Sequence, residues 1–169
     1  MPRKRNGAAP DAAIKLLVLD VDGVLTDGRL YYGPQGEELK VFHVRDGSGI
    51  RALGRAGVEL AVISGRNSKM VVKRCRDLDI PHVFQGIEDK VAAFEKLRKK
   101  LGFSASECAC VGDDTIDVPL LKTVGLAFAV ADAHIEARKA AHVVTSLPGG
   151  QGAVREICDR LLAARQLAK

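Results

Sequence analysis

Asp20 and Asp22, Ser64, Lys90, and Asp113 with Asp114 stand, in that chain order, where apolar runs stop or a helix begins. Together they offer a nucleophile, a proton carrier, a hydroxyl donor, a cation and hard oxygen ligands, which is the inventory for removing a phosphoryl group. Two carboxylates flanking one residue are costly unless a cation or a shared proton relieves them. Aspartates suit Mg²⁺, and there is no His/Cys cluster of the kind that holds zinc. Each element also has a plainer account: Asp20-x-Asp22-Gly23 or Ser64-Gly65 as a turn, Lys90 as a solvated helix residue, Asp113-Asp114 as a helix cap. The joint order at strand ends favours catalysis, because ligands of open α/β sheets bind at the C-terminal edge of the strands.

The elements that must carry these residues read as alternating strands and helices. Ile14 to Leu19, Val58 to Ile63, Val83-Phe84, Cys108 to Val111, Leu126 to Val130 and His142 to Thr145 are short apolar runs of the buried-strand type. Between them, helix-start signals at Asp46 and Ser48, at Asn67 and at Asp89 precede segments closed by Gly57, by Pro81 and by Gly102. A short helix holds Leu120 and Leu121, and an amphipathic helix runs to Leu167 behind the flexible loop Pro148-Gly149-Gly150-Gln151-Gly152. Arg29 to Tyr32 and Glu38 to His43 predict a hairpin around Gly33-Pro34-Gln35-Gly36. The fold expected is α/β, Rossmann-like, with a mostly parallel sheet, helices on both faces and a small β-hairpin flap.

At 169 residues with 47% apolar content, the chain fits one domain with a sizeable core. Residues 1–13 read as a disordered basic tail and 14–169 as that domain. The net charge of +5 owes part to Arg3, Lys4 and Arg5, and with 4% aromatics and no Trp the stacking surface of a nucleic-acid binder is missing. An anionic small substrate accounts for the surplus. No apolar run is long enough to cross a membrane, and the N-terminus lacks a secretory signal. Cys75, Cys108, Cys110 and Cys158 form no Cys-x-x-Cys pair and read as reduced core residues, so a cytoplasmic location is expected.

The four motifs Asp20-Val-Asp22-Gly, Ser64, Lys90 and Gly112-Asp113-Asp114-x-x-Asp117 resemble the haloacid dehalogenase superfamily. Asp22-Gly-Val-Leu-Thr-Asp27-Gly28, His43-Val44-Arg45-Asp46-Gly47, Ser64-Gly65-Arg66 and Gly149-Gly150-Gln151-Gly152-Ala-Val-Arg155-Glu156 narrow it: the chain resembles the 3-deoxy-D-manno-octulosonate 8-phosphate phosphatase family from about Lys15 to Leu162. The resemblance implies that Asp20 becomes an aspartyl-phosphate and that Asp22 protonates the departing sugar oxygen and later activates water. It also implies Mg²⁺ held by Asp20, the Asp22 backbone carbonyl and Asp113, with Asp114 or Asp117 in support. Ser64 and Lys90 would hold the phosphoryl oxygens, and His43 to Gly47, Arg51, Arg66 and Arg74 the phosphorylated sugar acid, an intermediate of lipopolysaccharide precursor synthesis. Arginines suit that ligand, since a guanidinium pairs bidentately with a carboxylate. Gln151 stands where the family commonly has a basic residue, and His43 where it often has asparagine.

Only 41 residues separate Asp22 from Ser64, and 25 separate Ser64 from Lys90, which leaves no room for an inserted cap domain. Water exclusion then falls to a neighbouring subunit. The resemblance implies a homotetramer with central hairpins, and Leu30, Tyr32, Leu39 and Val41 give this hairpin apolar side chains that need cover. Three other readings stay open: a nine-carbon sugar-acid 9-phosphate phosphatase, a noncatalytic assembly module of the same fold, and a phospho-receiver domain. The last orders its acidic pair, acceptor aspartate and lysine differently.

Overall fold

The computed structural model describes residues 10–167. In chain order the elements are β1 (Leu16–Leu19), β2 (Tyr31–Gly33), β3 (Gly36–Leu39), α1 (Val44–Arg55), β4 (Glu59–Ile63), α2 (Lys69–Asp77), β5 (His82–Phe84), α3 (Lys90–Leu101), β6 (Cys108–Gly112), α4 (Val118–Thr123), β7 (Leu126–Ala129), α5 (Ile135–Ala140), β8 (Val143–Val144) and α6 (Ala153–Leu167). Six strands form one parallel sheet in the order β5-β4-β1-β6-β7-β8, while β2 and β3 pair antiparallel as a separate hairpin. The chain builds leftward from β1 to β5, then crosses to β6 and builds rightward. The order therefore reverses between β1 and β6, and that reversal opens a crevice at their C-terminal ends.

Right-handed crossovers place α1 and α2 on one face and α3, α4 and α5 on the other. α6 returns to pack on α1. The central strand β1 is Leu-Leu-Val-Leu and all four residues are buried, which is why it lacks the polar alternation of a half-exposed strand. Each such side chain contributes about 1.5–3 kcal/mol. Its register matters more for function: Leu19 lies opposite both Val62 and Val111, so Asp20, Ser64 and Asp113 leave the sheet at one rim.

Several expectations shift at their edges. The tail does not run disordered to Ala13: Asp11–Ala13 form a 3-10 turn, and Asp11 pairs with Arg160 of α6 at 3.1 Å. The remainder of that expected tail lies outside the described residues. α1 begins at Val44 rather than at Asp46 or Ser48, with His43 as an N-cap that makes no side-chain hydrogen bond. Asp46 is instead buried and accepts the Arg155 backbone N–H at 2.8 Å, capping α6 from a different helix. At α2 the N-cap is Ser68, not Asn67. The loop after Pro148 is docked rather than free. Gly150 N–H donates to the Val24 carbonyl at 2.9 Å, Gly149 N–H to Asp132 at 2.9 Å, and a Cβ on Gly149 would strike the Gly23 carbonyl. It buttresses the loop after β1 from behind, so glycine is required there for close approach.

Candidate active site

At the C-terminal rim a cleft of about 220 Å³ is lined by Asp20, Asp22, Ser64, Gly65, Arg66, Lys90, Asp113, Asp114 and Ile116. Four separate segments deliver these side chains. Lys90 is held at the first position of α3 by Asp89, whose carboxylate accepts the Ala92 N–H at 2.9 Å, and Gly102 at φ +74° ends that helix. The turn after β1 carries Gly23 at φ +87°, and a Cβ there would run into the Asp113 carboxylate. A glycine is thus needed both for the backbone angle and for the room that Asp113 occupies.

Lys90 is the hub. Its ammonium lies 3.0 Å from Asp20 Oδ1 and 2.7 Å from Asp117 Oδ1, with all three residues buried. Burial works to discharge this lysine, but the Asp20 and Asp117 carboxylates outweigh it and hold its pKa above the ordinary value. Asp117 does more than pair: its second oxygen accepts the backbone N–H groups of Asp113 at 3.0 Å and Asp114 at 3.2 Å. It therefore fixes the turn that aims Asp113 and couples that turn to Lys90. Asp114 faces the cleft rim and spends its carboxylate on the Thr115 N–H at 2.7 Å.

Negative charge is in excess. Oxygens of Asp20, Asp113 and Asp117 all lie within 4.8 Å of one another. Burial, then the charges of Asp20, Asp117 and Asp114, push Asp113 up to about 8. Burial and Asp117 raise Asp20 to about 6, with Lys90 opposing. Carboxyl groups that resist ionisation this strongly, with no soft donors beside them, fit a hard divalent cation. Asp22 contributes no side-chain oxygen to that trio, which leaves it free for proton transfer.

Asp22 belongs instead to a ring of alternating charges that the sequence did not suggest. Lys40, at the foot of the hairpin, reaches Asp22 Oδ1 at 2.6 Å and Glu37 Oε1 at 2.8 Å. Arg66 closes the ring, at 2.7 Å from Glu37 and 3.8 Å from Asp22 Oδ2. Neither Glu37 nor Lys40 stands out in the sequence. Their one signal is the i, i+3 spacing of opposite charges beside a strand that must fold back toward the first loop.

The expected sugar-acid contacts divide. Arg66 lines the cleft with Asp20 and Asp22. Val44, Gly47, Arg51 and Arg74 line a different cleft of about 430 Å³ between α1 and α2. There Arg74 donates to the His43 carbonyl at 3.3 Å and lies over the Phe42 ring, while Arg51 faces Asp79 at 3.6 Å. Arg45 is exposed beside them, and Asp46 is committed to α6.

Residues 82–157 match the family model for haloacid dehalogenase-like hydrolases. The chain is 52% identical over 152 residues to the 3-deoxy-D-manno-octulosonate 8-phosphate phosphatase KdsC of Escherichia coli K12, covering 90% of this chain and 81% of that protein. It is 49% identical to its counterpart in Yersinia pestis, covering 91% and 82%. Among solved structures, the Yersinia pestis phosphatase superposes with a TM-score of 0.91 at 48% identity, covering 93% of this chain and 85% of that one. The Moraxella catarrhalis phosphatase, in complex with magnesium, phosphate and KDO, gives 0.91 at 41% identity, covering 93% and 90%. With four motif segments meeting at one rim of a fold shared at this identity, the chain belongs to the 3-deoxy-D-manno-octulosonate 8-phosphate phosphatase family of haloacid dehalogenase-like hydrolases.

Proposed function

We propose that this protein is a Mg²⁺-dependent phosphomonoesterase that hydrolyses 3-deoxy-D-manno-octulosonate 8-phosphate to the sugar acid and phosphate. The observation that carries the reading is the buried Asp20–Lys90–Asp117 line beside Asp113, at the reversal point of the sheet. An Asp20 oxygen attacks phosphorus as the bond to the sugar oxygen breaks. The electron pair goes to that oxygen, which takes a proton from Asp22. In the second half, Asp22 takes a proton from water, the water oxygen attacks phosphorus, and the bond to Asp20 breaks to release phosphate. Ser64 and Lys90 hold the phosphoryl oxygens. Asp20, Asp113 and the Asp22 backbone carbonyl would hold the metal, with Asp117 and Asp114 in support. The ion supplies positive charge against the repulsion between carboxylate and phosphate, which amounts to several kcal/mol in a poorly screened site.

Steady-state assays over a panel of sugar phosphates test this. The eight-carbon 8-phosphate should give the highest kcat/KM, and turnover should require Mg²⁺. A preference for a nine-carbon 9-phosphate or for ordinary hexose phosphates overturns the substrate assignment, and no phosphate release from any of them overturns the enzyme.

We further propose a homotetramer assembled through the hairpins, working in the cytoplasm. Tyr32, Leu39 and Val41 are 66%, 59% and 55% exposed, and Val44 at the start of α1 is 82% exposed. Such clustered apolar exposure calls for a partner surface. A second copy there would also bring side chains over a cleft that this chain alone leaves open. Light scattering should give a mass four times that of one chain, and Leu39→Glu should reduce it. A monomeric wild type removes the proposal. The four cysteines are free and buried, and no described helix is long and apolar enough to cross a membrane.

A further inference from the structure

The Lys40 side chain is 1% exposed, although it sits at the foot of a hairpin whose neighbouring residues Tyr32 and Leu39 face solvent. A lysine is almost never buried this fully unless it is paired, and here both partners are carboxylates. Burial alone would discharge it, yet the hydrogen bond to Asp22 and the ion pair with Glu37 outweigh that and keep its pKa above the ordinary lysine value. The hairpin makes no ladder with the six-stranded sheet. Its foot is tied to the loop after β1 by the charge ring of Lys40, Asp22, Arg66 and Glu37.

The two oxygens of Asp22 are not equivalent in this ring. Oδ1 accepts from Lys40 at 2.6 Å, while among the described residues Oδ2 has only the Arg66 Nε at 3.8 Å, beyond hydrogen-bond range. An oxygen already accepting a short charge-assisted bond is a poor seat for a proton. The transferable proton therefore belongs on Oδ2, on the side of Arg66, and the carboxyl plane is set by the lysine. Accepting the phosphatase reading above, we propose that Lys40 is a positioning residue: it ties down Oδ1 so that Asp22 presents Oδ2 to the departing oxygen. General acid catalysis depends on heavy-atom placement within a few tenths of an ångström, so a freely rotating Asp22 loses part of its effect.

The test compares leaving groups. An alkyl alkoxide needs a proton to depart, whereas p-nitrophenolate does not, and kcat/KM reports the step in which the ester oxygen leaves. Lys40→Met should lose about 30-fold or more in kcat/KM on both 3-deoxy-D-manno-octulosonate 8-phosphate and propyl phosphate, against about threefold or less on p-nitrophenyl phosphate. Lys40→Arg should recover part of the alkyl loss. Equal losses on all three esters overturn the proposal, because Lys40 then only maintains the fold. Loss confined to the sugar ester also overturns it, because Lys40 then contacts the sugar. Should Lys40→Met fail to fold, Glu37→Gln removes the lysine's other anchor and must show the same alkyl-selective loss in smaller degree; no selectivity overturns the proposal. If wild-type protein ignores the sugar ester, the substrate assignment falls while the propyl and p-nitrophenyl pair still decides Lys40.

Discussion

Asp20→Asn should lower kcat by at least about 10⁴-fold while leaving the metal-free protein as stable as wild type or more so. The first half follows from chemistry. An amide oxygen at the end of β1 can occupy the same place but cannot form the aspartyl-phosphate, and neither carboxylate grouped with it is free to replace it. Asp117 is bound to Lys90 and to two backbone N–H groups, and Asp113 sits against Gly23. The second half follows from electrostatics. Asp20 is raised to about 6 because burial and then the Asp117 charge disfavour its ionised form, with Lys90 only partly offsetting them. At neutral pH the folded chain therefore bears a cost for that charge, and a neutral amide removes it. Steady-state kinetics and a melting curve on one preparation read both. Near-native turnover removes Asp20 as the nucleophile, and a large fall in melting temperature removes the account of its strained charge.

Much of this site was legible because buried parallel strands announce themselves. Leu16 to Leu19, Ala61 to Ile63 and Cys108 to Val111 are apolar without alternation, so the residues that follow them had to gather at one rim. Chain order then supplied the roles. Three things were not legible, each for a physical reason. Asp46 carries a helix-start side chain, but its partner is the backbone N–H of Arg155, 109 positions away, and no local pattern encodes that pairing. α5 is six residues between two strands, too short for a periodic signal. Lys40 looks like any hairpin lysine until the fold-back of β3 buries it on Asp22. For Asp46 and Lys40 a long-range contact overrode what the neighbouring residues suggested.

Arg51 and Arg74 are the converse. Resemblance placed them with the substrate, yet within one chain they line the cleft between α1 and α2, apart from the Asp20 cleft. A hairpin-mediated assembly offers a direct reconciliation. A cleft without a cap domain needs cover, and the exposed start of α1 follows the hairpin closely in the chain and lines one cleft with these arginines. The tetramer measurement and the substrate panel thus bear on each other: a monomer that still prefers the sugar acid would have to draw specificity from Arg66 and the Asp22 ring alone.

Stripping the metal should abolish turnover and leave a protonation signature on re-addition. In the metal-free protein Asp113 is raised to about 8, by burial first and then by Asp20, Asp117 and Asp114, from an ordinary 3.8. Between roughly pH 4 and pH 8 the folded chain thus holds a proton that the unfolded chain has released. Stability rises with pH only where the unfolded state binds more protons, so this group makes the metal-free fold less stable as pH climbs through that window. Asp20 adds to the decline between roughly pH 4 and pH 6. A cation must displace those protons to bind. At pH 7 Asp113 is mostly protonated and Asp20 mostly ionised, so each Mg²⁺ should release about one proton, and apparent affinity should rise about tenfold per unit between pH 6 and pH 8. Calorimetric titrations in two buffers of different ionisation enthalpy count the proton directly. Asp113→Asn should flatten the affinity profile above about pH 6 and remove the loss of metal-free stability between roughly pH 6 and pH 8, leaving the smaller Asp20 decline below it. Turnover that survives a chelator, or Mg²⁺ uptake at pH 7 with no proton released, would show that these carboxyls do not meet around an ion.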